Sequence, residues 1–132
     1  MELIESYHLA VIALGALATL LFVQLLIADV IGILNKHIPG AVIVSDHKSL
    51  LFRATRTVAN SNESIAIFLL ALAFCVFSGA SAEHTGYAAL AFVASRAAYA
   101  LCYYFDFRIL RSTVFAISLL MLAALIGIGA FT

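Results

Sequence analysis

Arg53-Ala54-Thr55-Arg56-Thr57-Val58-Ala59-Asn60-Ser61-Asn62-Glu63 is a cluster of charges and amides that opens onto a long apolar run, Ile65 to Phe77. Read as a helix, it stacks Arg56, Asn60 and Glu63 at i, i+4 and i+7 on one face, with Arg53 one turn earlier. Fixed charges at the mouth of a membrane helix are costly unless they find partners or a polar ligand. The stretch is therefore both the start of a spanning helix and a candidate site.

The rest of the chain fits that reading. It has 132 residues, 65% of them hydrophobic and 11% charged, with a mean hydropathy of +1.15. Soluble domains are about half apolar and about a quarter charged, so the excess points to an integral membrane protein. The net charge is zero, which gives no sign of nucleic-acid binding or of a helix lying on the membrane surface. Cys75 and Cys102 both lie inside apolar runs and read as embedded thiols rather than a disulfide. The start, Met1-Glu2-Leu3-Ile4-Glu5, is acidic where a cleaved signal would be basic, so the first apolar stretch is expected to stay.

Four apolar runs are each long enough for a bilayer core that needs about 20 helical residues. The expected helices cover about 7–35, 50–79, 86–106 and 111–131, within a single domain, 1–132. Uninterrupted runs lack the alternation of a barrel. The fold class is thus all-α, a four-transmembrane-helix bundle. Six of the seven basic residues, Lys36, Lys48, Arg53, Arg56, Arg108 and Arg111, fall around the first and third loops. The opposite side carries Glu2, Glu5, Glu83 and His84 without Lys or Arg. The positive-inside rule then places the first and third loops in the cytoplasm and both termini on the opposite side. The first loop holds the turn signal Pro39-Gly40, and His37 and His47 around Asp46. Their separation is poor for a metal site, so no metal is expected and the loop reads as solvated.

A second polar stripe runs along the third helix: Arg96, Tyr99, Tyr103 and Asp106, again on one face. Arg96 sits well inside an apolar run, where a lone arginine turns to the bundle interior or to water. Tyr99 and Tyr103 can offer hydroxyls to the same pocket. Arg111-Ser112 is expected to open the fourth helix, whose N-terminus attracts anions. A purely structural network competes with this reading: Arg56 with Glu63, Arg96 with Asp106, and Tyr87, Tyr104 and Phe105 as interface or packing residues. Asp29 is either a partner for an arginine or a proton-handling group. The convergence of positive groups at one level favours an anionic ligand.

Arg56-x3-Asn60-x2-Glu63 at the start of a second helix, in register with Arg96-x2-Tyr99-x3-Tyr103 and then Arg111-Ser112, resembles the signature of the MAPEG family, the membrane-associated proteins in eicosanoid and glutathione metabolism. The resemblance covers essentially the whole chain. It implies a homotrimer of four-helix protomers that binds glutathione, as cosubstrate, between neighbours at the cytoplasmic end. By position, Arg53, Arg56, Asn60 and Glu63, with Arg96, Tyr99 and Tyr103, would bind glutathione. Arg111 and Ser112 would be catalytic, stabilising the thiolate. The implied function is a glutathione-dependent membrane transferase or peroxidase acting on lipophilic small molecules that are electrophiles and reach the site from membrane lipid. Where members often carry an arginine near the end of the first helix, this chain has Asp29 followed by Asn35-Lys36. Where an aromatic often follows the motif glutamate, it has Ser64. A catalytically inert binding or scaffold protein of the same fold therefore stays open. So does a small transporter subunit using Asp29, Glu63 and Arg96 as a relay.

Overall fold

Long apolar runs with few breakers leave the backbone no partner but itself, and helices follow. The structure, a computed structural model, describes residues 2–132, with only the backbone of Leu3, and is helical with no strand among the described residues. The helices are α1 (Glu2–Ser6), α2 (His8–Leu34), α3 (Leu50–Phe77), α4 (Ala82–Tyr104) and α5 (Arg108–Ala130). The short α1 was not expected. Tyr7 separates it from α2, with its ring buried and its hydroxyl donating to the Ala80 carbonyl. That bond ties the start of α2 to the turn between α3 and α4.

Three of the four long helices end with one device. After α3, Ala80 N–H donates to Cys75 O at 3.0 Å and Gly79 N–H to Val76 O at 3.2 Å, the paired bonds of a Schellman close. Gly79 takes the left-handed conformation, φ +73°. The same pair of bonds ends α2, from His37 to Gly32 and Lys36 to Ile33, and α4, from Phe107 to Cys102 and Asp106 to Tyr103. In those two closes the left-handed residue is Lys36 (φ 54°) and Asp106 (φ 58°), which lack glycine's freedom.

Two helices begin earlier than the hydrophobic pattern implied. α4 starts at Ala82 rather than 86, because the Ser81 hydroxyl caps it by accepting from His84 N–H at 3.4 Å. α5 starts at Arg108 rather than 111, so Arg111 is the last residue of the first turn, with its N–H already donating to Phe107 O at 2.9 Å.

By length and composition α2, α3 and α5 can each cross a membrane. At about 1.5 Å per residue, the 27 residues of α2 exceed a hydrocarbon core of about 30 Å. The expected fourth span, α4, is not in that group. Its 23 residues include Glu83, Thr85, Ser95, Arg96 and four tyrosines, Tyr87, Tyr99, Tyr103 and Tyr104. It is the enclosed helix, buried at intervals from Thr85 to Tyr103. α3 and α4 form the centre of the bundle, and each packs against both α2 and α5.

The interior has two halves. Near the Tyr7 end, Ala10, Ala13, Leu17, Phe68, Leu72, Cys75, Phe92, Val93, Leu122 and Leu125 make one apolar cluster, with Phe68 and Phe92 stacked at 4.7 Å. Toward the first and third loops the buried residues include Gln24, Thr57, Ser61, Ser95, Arg96 and Ser118. The candidate site lies at that polar end.

Candidate functional site

On α3, the i, i+7 spacing brings Arg56 Nη1 to 3.2 Å from Glu63 Oε1, with the side chains 41% and 60% exposed. Between them Asn60 faces α4, where its Oδ1 accepts from Arg96 Nη2 at 2.8 Å. Arg96 is 1% exposed, so its charge is buried against a neutral amide and an aromatic face rather than an acid. Its guanidinium carbon lies 4.4 Å from the centre of the Tyr99 ring, a cation–π contact that gains strength when desolvated.

The chain of contacts continues down α4. Tyr99 meets Tyr103 edge-on at 5.5 Å and Phe115 of α5 at 5.9 Å. Arg111 reaches back from α5 to stand 4.5 Å over the Tyr103 ring. Its Nη1 is buried with no hydrogen-bond partner. Asn60, Tyr99, Arg111, Ser112 and Phe115 line a cavity of about 210 Å³. Ser112 donates its hydroxyl proton to Arg108 O at 3.2 Å, so in this rotamer it presents lone pairs to the cavity. Arg111 Nη1 is an unpartnered donor on one of the lining residues.

Of the nine residues singled out in the sequence, Asn60, Tyr99, Arg111 and Ser112 line this cavity. Arg96 and Tyr103 stand behind it, through the contacts just described. Arg56 and Glu63 pair with each other on the same face of α3. Arg53 is turned elsewhere: Nη1 donates to His47 O at 2.6 Å and Lys48 O at 3.1 Å, and Nη2 to Tyr104 O at 3.3 Å. It clamps the first loop to the end of α4. The Arg96–Asp106 pair of the competing structural reading does not form among the described residues. α4 ends at Tyr104, so Asp106 leaves the helical stripe and its Oδ1 lies 3.7 Å from Arg108 Nε.

Two loop-side features differ from the sequence reading. His47, read as part of a solvated loop, stacks on Tyr103 at 6.2 Å and packs edge-on against Phe52 at 5.1 Å. Its place two residues before the Ser49 cap of α3 is the only local signal that it would be held near the helix ends. Asp29 forms no ion pair among the described residues. It lines a separate groove of about 510 Å³ with His37, Pro39, Leu51 and Thr55.

The architecture and the polar end define an all-helical membrane protein with a cationic, aromatic-lined cavity where α3, α4 and α5 meet. The MAPEG family model matches residues 7–131, nearly the whole chain, and the chain belongs to that family. No match is found among curated proteins.

Proposed function

We propose that the chain is a glutathione-dependent transferase or peroxidase acting on lipophilic electrophiles, as a homotrimer of four-span protomers. The observation that carries the reading is the cavity between Asn60, Tyr99, Arg111, Ser112 and Phe115, with an unpartnered, buried guanidinium nitrogen of Arg111 at its wall. Two features favour a thiolate there. Arg111 supplies a fixed positive charge, and the first turn of α5 adds the positive end of its dipole. A glutathione thiol would release its proton to water, and the thiolate would attack the electrophilic carbon as the leaving group departs with its bonding electrons. Preorganised charge lowers the cost of the first event and needs no reorganisation during the second.

The size of the cavity supports assembly. Pockets that enclose a small ligand run to about 300–1,000 Å³, and about 210 Å³ falls below that range. A neighbouring protomer would supply the missing wall. α4, which carries the buried Arg96 and is the most enclosed helix, would then be the fourth span, shielded from lipid by its partners. Six basic residues around the first and third loops support a cytoplasmic site.

The self-satisfied Arg56–Glu63 pair favours one competing reading, a membrane protein of this fold without turnover. Calorimetry with glutathione, followed by conjugation of a chloronitrobenzene in detergent, separates the two. Binding with turnover is expected, binding without turnover supports the competitor, and no binding ends the glutathione reading.

A further inference from the structure

Gln24 is the one amide on the buried face of α2, among Ala10, Ala13, Leu17 and Ala28. It is 1% exposed, and neither Oε1 nor Nε2 has a hydrogen-bond partner. Among the other buried polar atoms in that condition are the Ser61 hydroxyl on α3, and Nε and Nη1 of Arg96 on α4.

The register puts the three helices' groups in one layer. The Tyr7 hydroxyl sits against the carbonyls of Cys75 and Ala80, which fixes α2 antiparallel to α3. An equal count of residues forward along α2 and back along α3 brings Gln24 opposite Thr57–Ser61, both on the buried face of α3. The Arg96–Asn60 bond places Arg96 at the same level. The layer thus holds an amide, a hydroxyl and most of a guanidinium, supplied by three helices whose buried faces also carry the small residues Ala28, Thr57 and Ser95.

Buried polar atoms in native interiors are paired, with protein or with ordered water. We infer that Gln24, Ser61 and Arg96 build a water-binding site inside the bundle. The donor set decides the ligand. Arg96 Nε and Nη1 and Gln24 Nε2 only donate, Gln24 Oε1 only accepts, and Ser61 does either. Water satisfies both kinds at once. An anion would be repelled by Gln24 Oε1, and a cation by Arg96. A water with two to four polar partners is the usual occupant of such a place, and it needs only about 10–15 Å³. The layer adjoins the cavity through Asn60, which lines the cavity and accepts from Arg96. The water would therefore hold the back of the site, whatever ligand the front takes.

The test is a map of the purified protein in lipid nanodiscs, at a resolution that shows ordered solvent. At least one solvent peak is expected within hydrogen-bonding distance of both Gln24 and Arg96. Gln24 bonded straight to Arg96 or Ser61, with no solvent between, overturns the inference. Gln24→Leu gives an independent reading by melting temperature. A hydrated layer loses bridging partners for Arg96 and melts several degrees lower. A dry one loses an unsatisfied amide and melts higher, which also overturns the site. Should Gln24→Leu not fold, the wild-type map alone decides.

Discussion

Asn60 serves two neighbours: its oxygen accepts from buried Arg96 while its side chain walls the cavity. Asn60→Ala strips a buried cation of its one side-chain acceptor. Hydrogen bonds to charged groups contribute about 1.5–3 kcal/mol, and a loss of that size is expected in detergent melting. Arg56→Ala should cost little stability, under about 1 kcal/mol, because its pair with Glu63 is solvent-exposed. Its effect should fall on glutathione affinity, read by calorimetry. Arg111→Ala should do the opposite. Lowering a thiol pKa by about two units requires roughly 2.7 kcal/mol of preferential thiolate stabilisation, and Arg111, which lines the cavity, holds an unpartnered donor. The variant should keep affinity, lose turnover and raise the pKa of bound glutathione, followed by thiolate absorbance against pH. An unchanged titration would leave Arg111 with a purely structural place over Tyr103.

At the scale of elements, Lys36 closes α2 in a left-handed conformation that glycine adopts freely. Lys36→Gly should raise stability by about 0.5–1 kcal/mol, the relieved strain being partly offset by a more flexible unfolded chain. A lower melting temperature would show that the lysine side chain matters more than its backbone. Gly86 has the contrary role. A methyl group there would overlap Leu9 Cβ, where α2 and α4 meet, so Gly86→Ala should force those helices apart and lower the melting temperature. The long helices were legible in the sequence because apolar runs in lipid have few alternatives. So was the Arg56–Glu63 pair, since i, i+7 on an unbroken helix needs nothing from elsewhere. The starts of α4 and α5 were not, because the first turn of α4 holds Glu83, His84 and Thr85 and that of α5 holds Arg108 and Arg111, charges and polar groups that lower the local hydropathy. Asp106 failed for a related reason: spacing assumes a continuing helix, and the chain turns left-handed there. His47 was hidden because loop geometry, not periodicity, carries it to Tyr103.

For the whole molecule, the exposed apolar surface of α2, α3 and α5 suits lipid, and the proposed trimer would cover part of it and complete the small cavity. Native mass spectrometry in mild detergent should give a trimer. A spectrum of monomer alone would remove the shared site and leave the cavity at its present size. The division of the interior into an apolar and a polar half carries a kinetic consequence as well. Amide protons exchange with solvent through openings whose cost follows local packing. Those of Phe68–Cys75 and Ala88–Val93 lie in the apolar cluster and should exchange only when the entire bundle comes apart. Those of Thr57–Ser61 lie in the polar half and should exchange through smaller, more frequent openings, in deuterium-uptake measurements on the detergent-solubilised protein. The order of exchange would then make the cavity end the part that breathes, anchored by an opposite end that stays shut.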